Sequence, residues 1–203
     1  AFLSGTDFHT ATAANVFGLP VEEITPALRS RAKAVNFGIV YGQQAFGLAQ
    51  SLGIPFGEAK EMIERYFAAY PGVRAYLDQT VADARSEGYA QTMFGRKRHI
   101  PEISSSNANQ RGFGERTAMN HPMQGSAADI IKLAMVQVRD RMQSEGFHAQ
   151  LLLQVHDELD FSVPEDEVEA FAKMVHDSME HVVQLKVPLE ADVSWGATWA
   201  EAH

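Results

Sequence analysis

Four side chains recur every fourth residue in one segment: Arg29, Lys33, Phe37 and Tyr41. In a helix each step of four advances about 40°, so the four form a stripe across about 120° of one face. Two cations come first and two aromatic rings follow. Cations neutralise phosphates and an aromatic ring stacks on a base. The stripe predicts a nucleoside triphosphate site, and the alternative is a surface helix with its aromatic rings in the core.

A second candidate lies at the end of an apolar run, in the segment LLLQVHDELDF. Asp157 and Glu158 follow a predicted strand, which would fix a carboxylate yet leave it open to solvent. Mg²⁺ is typically held by one or two carboxylates together with substrate phosphates. The segment therefore indicates a magnesium ligand, with His156 beside it as a donor to a phosphate or sugar. The alternative is a hairpin turn whose Asp and His serve only local hydrogen bonding.

A third group of polar side chains occurs along a predicted long helix. Its members are Arg111, Arg116, Asn120, His121 and Gln124. Donors and acceptors one turn apart suit base edges and sugars. An ordinary hydrophilic helix face is the alternative. The run from Arg96 to Arg98 is read either as a solvated turn or as a phosphate contact.

Length, charge and cysteine content limit the possible classes. The 203 residues suit one large or two small domains, and the absence of cysteine excludes disulfide scaffolds, Cys-ligated metals and thiol nucleophiles. The net charge of −9 argues at first against nucleic acid. However, residues 1–142 carry net +2 and residues 143–203 carry net −11. With no apolar run of transmembrane length and no signal peptide at its start, the sequence predicts a cytoplasmic protein.

Glycine and proline divide the chain into helices and a few strands. We predict an α+β fold, mostly helical, with a small antiparallel sheet near the C-terminus. The predicted elements are a helix from Asp7 to Gly18, helices at 26–41, 57–70 and 73–87, a hairpin at 89–100, a long helical region at 108–144 interrupted or kinked near Pro122, a hairpin at 149–163, a helix at 165–183 and a strand at 187–193.

The combination of these segments resembles a known family. RSRAKAVNFGIVYG (29–42) and LLLQVHDELDF (151–161) are similar to the fingers-helix and palm-hairpin motifs of family A DNA polymerases, the bacterial DNA polymerase I type. Two segments between them, YAQTMFGRKRHIPEI and RTAMNHPMQGSAADIIK, also resemble this family. The likeness covers the chain from Phe2 to His203. It implies fingers at 1–125, a C-terminal part of the palm at 126–203, and a bacterial or phage origin.

The resemblance implies a role for each matching residue. Arg29, Lys33 and His9 would bind the triphosphate, Phe37 would lie against the sugar, and Tyr41 would sit by the templating position and move as the fingers close. The implied DNA-contacting residues are Gly42, Arg116, Asn120, Gln124 and His156. Asp157 would be a ligand of catalytic Mg²⁺ with Glu158 supporting it. Asp157, Glu158 and Lys33 would be the catalytic residues.

The sequence departs from the family at one motif. The family's second metal-binding Asp lies in a string resembling D-Y-S-x-I-E, and no such string occurs here. Two-metal phosphoryl transfer uses a pair of ions. We therefore expect a fragment that is inactive alone and requires the upstream half, with the thumb and the rest of the palm. The implied partners are two Mg²⁺ ions, primer-template DNA and deoxynucleoside triphosphates.

Three other interpretations stay open. The chain could be half of a split polymerase, or a non-catalytic DNA- or nucleotide-binding module that lost its upstream half. It could also be a relative of the single-subunit RNA polymerases, although the NFGIVYG stretch favours the DNA enzyme.

Overall fold

The computed structural model describes residues 5–202. Backbone contacts divide the chain into two compact units, Ala1–Gly125 and Ser126–His203. The described residues form an α+β structure that is mostly helical, as predicted, with two small antiparallel sheets. None of the helices in this range has both the length and the apolar character that crossing a membrane requires. The names fingers and palm for the two units stay predictions.

Unit 1 is built mainly from helices. They are α1 (Phe8–Phe17), α2 (Pro26–Val40), α3 (Ala45–Leu52), α4 (Phe56–Ala69) and α5 (Pro71–Glu87), followed by the hairpin β1 (Tyr89–Gln91) and β2 (Lys97–His99) and the start of α6 (Ala108–Glu145). The helix α6 is continuous through Pro122, so the predicted interruption does not occur. The helix α3 was not predicted.

The main core of unit 1 lies between these helices. It contains Val16 of α1, Val35 and Ile39 of α2, Leu48 of α3 and Tyr66 of α4, all buried. The residues of α2 that face it are three and four positions apart, which is the spacing of one helix face. Burial of this face leaves the opposite face of α2, with the predicted stripe, toward solvent.

Unit 2 combines the rest of α6 with a hairpin and a second amphipathic helix. The hairpin is β3 (Gln150–Val155) with β4 (Glu158–Ser162), and the helix is α7 (Val168–Glu180). Phe171, Met174 and Val175 of α7 pack with Val138 of α6 in its core. The short helix α8 (Trp199–Ala202) ends the described chain.

Two predicted elements of unit 2 were wrong in extent or kind. The predicted helix 165–183 is shorter at both ends. At its start, Glu167 is the N-cap residue of α7, and its carboxylate binds His148 instead of entering the first turn. The predicted strand 187–193 does not form. The N–H of Ala191 donates to the Glu180 carboxylate at 3.1 Å, so a side chain occupies a donor that a strand would offer to a neighbour.

Candidate nucleotide and metal sites

The start of α2 is fixed by local chemistry. The Thr25 hydroxyl accepts from the N–H of Leu28 at 3.3 Å, and Pro26 occupies the first turn. These caps set the helical phase that presents the stripe. Phe37 is 46% exposed and Tyr41 is 43% exposed, so the interpretation that placed these rings in the core is wrong.

The structure brings three members of the stripe together. The rings of Phe37 and Tyr41 lie nearly parallel, with 15° between their planes and 6.4 Å between their centroids. Lys33 Nζ lies 5.8 Å from the centroid of the Phe37 ring. A cation therefore stands beside a flat, exposed aromatic surface. This arrangement offers both charge for a phosphate and a stacking surface for a base or sugar.

Arg29 is held by Asp7, the residue at which the first helix was predicted to begin. Its Nε and Nη2 donate to the two carboxylate oxygens of Asp7, each at 2.8 Å. The same carboxylate accepts from the N–H of Thr10 at the start of α1. Hydrogen bonding from Arg29 is the main reason that the pKa of Asp7 lies far below its usual range. The fork of Arg29 thus has a fixed orientation at the edge of the stripe.

His9 of α1 lies beside this stripe, as the nucleotide-site prediction requires. Its ring centroid is 6.0 Å from that of Phe37, and its Nδ1 is 2.9 Å from Nδ2 of Asn36. Burial lowers the pKa of His9; the Asp7 charge opposes this shift, and Arg29 and Lys33 add to it. Nothing in the spacing of Asn36 links it to a residue 27 positions earlier, so this contact was not predicted.

Gly42 connects the end of α2 with the polar stripe of α6. Its φ is +68°, a left-handed conformation that favours glycine. A Cβ there would lie 2.6 Å from Met119 Cε and 2.9 Å from Arg116 Cγ, so the two segments approach closely. The candidate DNA-contacting residue Arg116 therefore lies against Gly42, the residue that follows Tyr41.

The remaining polar residues of α6 fall into two groups. Arg116 and Gln124 are exposed and Asn120 is half-buried, so all three are open to a ligand. Arg111 instead donates to the Ser105 carbonyl at 3.0 Å, and Nε2 of His121 lies 3.4 Å from the Arg96 carbonyl oxygen. Arg111 and His121 therefore contact neighbouring backbone carbonyls of the chain itself.

In unit 2, the β3–β4 hairpin positions the candidate metal ligand. Val155 pairs with Glu158, so His156 and Asp157 form the two-residue connection. His156 has a φ of +52°, and the Gln154 side chain donates to its carbonyl oxygen. Asp157 is exposed at the tip, and Glu158 is half-buried.

Glu158 has a neighbour that sequence reasoning missed. Trp199 Nε1 donates to Glu158 Oε1 at 3.4 Å. The two residues are 41 positions apart, so no local signal pointed to this pair. Through this contact the C-terminal segment orients the Glu158 carboxylate, whereas Asp157 lies in the turn itself.

The donor set fits part of a magnesium site. Asp157 supplies an exposed carboxylate oxygen, which is the ligand type that Mg²⁺ prefers. Within residues 5–202, however, no group of three or more His, Cys, Asp or Glu side chains is placed to hold a metal ion. The described residues thus offer individual ligands and not a complete two-metal centre.

Comparison with known proteins gives consistent results. The family model described as DNA polymerase family A matches residues 1–201. The DNA polymerase I of Geobacillus stearothermophilus is 51% identical over 202 residues, and that of Bacillus subtilis is 49% identical; each match covers 100% of this chain and 23% of the relative. The chain thus spans about a quarter of the length of these relatives.

A solved structure is similar over the whole chain. It is the POL domain of Pol1 from M. smegmatis in complex with DNA primer-template and dNTP, with a TM-score of 0.95 and 46% identity, and the match covers 100% of this chain and 36% of that one. On the family match and these identities, the chain belongs to DNA polymerase family A.

Proposed function

We propose that this chain forms the nucleotide-binding side, and supplies one metal-binding carboxylate, of a DNA-templated DNA polymerase. Unit 1 would be the fingers and unit 2 a C-terminal part of the palm. One observation carries the proposal: the exposed face of α2 presents Lys33 next to the parallel rings of Phe37 and Tyr41. In a family A chain, this surface suits an incoming deoxynucleoside triphosphate.

The triphosphate would meet three donors along one edge of this face. Arg29, Lys33 and His9 are close enough in space for their charges to influence one another. Guanidinium and ammonium groups make charge-assisted hydrogen bonds to phosphate, which are stronger than neutral ones. The sugar would then lie against Phe37, and Tyr41 would stand by the templating position.

The primer-template would continue from Tyr41 onto α6. The close approach of Gly42 to Arg116 supports this path, because it places an exposed cation beside the end of α2. Asn120 and Gln124 follow at one-turn intervals on the same helix. With Gly42 counted, His156 on the hairpin of unit 2 is the fifth proposed DNA contact.

Family A polymerases are metal-dependent enzymes, and we propose magnesium as the metal here. Bound Mg²⁺ would neutralise charge on the phosphates during transfer. We propose Asp157 as a ligand and Glu158, oriented by Trp199, as its support. The second carboxylate would come from the upstream half of the complete polymerase.

A chimera tests this function. In it, the chain replaces the 202 matched residues of the Geobacillus stearothermophilus DNA polymerase I, a substitution at 51% identity. The chimera, the 203-residue chain and the remaining part of the relative are compared in a primer-extension assay with Mg²⁺ and deoxynucleotides. We expect templated extension by the chimera and none by either part alone.

The same assay separates the other interpretations. A chimera that binds primer-template with normal affinity but never extends it indicates a non-catalytic module. Preferential use of ribonucleotides indicates an RNA polymerase relative. Clear templated extension by the 203-residue chain alone contradicts the proposal that it supplies only one side of the site.

A further inference from the structure

A buried amide links α1 with α2 beneath the candidate triphosphate site. Asn36 is only 4% exposed, although its neighbour in sequence, Phe37, is on the surface. Its Nδ2 lies 2.9 Å from Nδ1 of His9, and its Oδ1 lies 3.2 Å from the hydroxyl of Thr12. Thr12 is itself fully buried. Buried polar groups are costly unless they are hydrogen-bonded, so this contact constrains all three side chains.

The chemistry of the amide decides which atom of His9 carries a proton. With its nitrogen toward His9, the Asn36 amide donates, and in this arrangement Nδ1 of His9 accepts and is unprotonated. A neutral imidazole whose Nδ1 accepts has its proton on Nε2. At the other end of the amide, the oxygen faces the Thr12 hydroxyl, which also lies 2.9 Å from the Phe8 carbonyl.

The surroundings of His9 favour the neutral ring. The charged groups facing it are Asp7 at the start of α1 and Arg29 and Lys33 on α2. Burial and the two cations lower its pKa, while Asp7 raises it. In the part of the chain that the structure describes, its one side-chain hydrogen bond is the one to Asn36, which leaves Nε2 without a protein partner.

We propose that Asn36 is a positioning residue that holds His9 as the neutral Nε2–H tautomer, so that Nε2 is a fixed hydrogen-bond donor to the triphosphate. The inference rests on the proposed function, because it extends the nucleotide site by one residue. Asn36 itself does not touch the nucleotide. It makes His9 a directional donor with a fixed tautomer.

Nitrogen-15 NMR of the 203-residue chain tests the tautomer directly, with no substitution needed. At neutral pH the expected spectrum shows His9 with a protonated Nε2 and an unprotonated Nδ1. A ring protonated on Nδ1, alone or together with Nε2, overturns the inference, since it requires the amide oxygen of Asn36 to face His9.

A substitution adds a readout that packing alone does not move. In Asn36→Asp the carboxylate can only accept, so the ring becomes protonated on Nδ1 and its pKa rises by about one unit or more. The control is Asn15→Asp, the same change at an exposed position of α1 whose amide binds Ala11 and Tyr70. Unchanged His9 titration in Asn36→Asp, or an equal shift in the control, contradicts the positioning role.

Titration with dATP separates this inference from the proposed function. We expect dATP to shift the Nε2 signal in the wild-type chain, with an affinity nearly constant above about pH 7. In Asn36→Asp the affinity should become pH-dependent in that range. A wild-type affinity that follows the titration of His9 in that range overturns the inference. If dATP fails to bind while the Nε2–H tautomer is present, the proposed nucleotide site fails and the link between Asn36 and His9 stands.

Discussion

The α2 face of unit 1 and the His156–Asp157 hairpin of unit 2 both present exposed polar side chains, yet they are supported differently. On the α2 face, Arg29 is held by Asp7, and Lys33 lies beside Phe37. At the hairpin tip, by contrast, the Asp157 side chain has no hydrogen bond or ion pair within residues 5–202. One region is organised by its own unit, while the other presents a bare carboxylate.

This difference predicts two kinds of sensitivity to mutation. Where several donors share one ligand, removal of one weakens binding by degrees. Where a single carboxylate is this chain's contribution to a metal centre, its removal acts on the reaction as a whole. Variants measured in the chimera with the Geobacillus relative can therefore confirm or contradict this difference in sensitivity between the α2 face and the hairpin.

The largest effect is expected for Asp157→Asn. Loss of its charge should lower primer extension by about 10²- to 10³-fold, the scale of losing a main electrostatic contribution to a transition state. Primer-template affinity should stay within about twofold, because the substitution removes no cation. The control is Asp140→Asn on α6, an exposed acid paired with Arg139. Retained turnover in Asp157→Asn would show that Asp157 is not a ligand of the catalytic metal.

Lys33→Ala should have a graded effect on nucleotide use. Removing a charge-assisted phosphate contact costs about 1.5–3 kcal/mol, which corresponds to a rise in KM for deoxynucleotides of about 10- to 100-fold. Steady-state kinetics and a primer-template binding assay measure the two effects separately. Lys60→Ala, an exposed lysine of α4 paired with Glu64, is the control. Equal loss of nucleotide and duplex binding would contradict the assignment of the α2 face.

Gly42→Ala tests the contact between α2 and α6. The left-handed backbone alone costs an L side chain about 1–2 kcal/mol. Gly53→Ala is a matched control, since Gly53 has a φ of +64° but no atom within 4 Å of the added Cβ. We expect urea unfolding to show a larger loss for Gly42→Ala, because its Cβ meets Met119 and Arg116, and only this variant should weaken primer-template binding. Equal losses of unfolding free energy in the two variants would show that Met119 and Arg116 move aside at no energetic cost.

Local signals explain which parts of this comparison the sequence could predict. Thr25, Pro26 and Gly42 mark the ends of α2 within a few residues, so its stripe was predicted correctly in position. The hairpin at 149–163 was likewise predicted from alternating apolar residues and a turn. The strand at 187–193 was wrong because its apolar pattern is strand-like, yet the N–H of Ala191 is taken by a side-chain acceptor. The helix α3 was missed because it has no side-chain cap and contains Gly47, so it depends on packing against its neighbours.

The contacts that organise the α2 face were beyond sequence reasoning for the same cause. Asp7 meets Arg29 across 22 positions, and His9 meets Asn36 across 27. Each pair joins α1 to α2, so it exists only when the two helices pack. The sequence could thus name candidate binding side chains, while those that hold them in place required the structure.

The smallest effect is expected at the base of the hairpin, where His148 and Glu167 connect the chain before β3 to the start of α7. The N–H of His148 donates to Glu167 at 2.9 Å, and its Nδ1 lies 2.6 Å from the other carboxylate oxygen. This hydrogen bonding raises the pKa of His148 above its ordinary 6.5 and lowers the pKa of Glu167 below its ordinary 4.5.

The signs of these shifts define a pH window. The contribution of His148 is fully present below pH 6.5 and is lost as the pH rises through its raised value; that of Glu167 is present above pH 4.5 and is lost as the pH falls through its lowered value. The pair should therefore stabilise unit 2 most between pH 4.5 and 6.5. His148 is exposed and Glu167 only half-buried at the surface, so the effect should be small. The difference in urea midpoint between wild type and His148→Gln should peak in that window, and a difference that is flat with pH, or one matched by His99→Gln in unit 1, would show that the hairpin lacks this support.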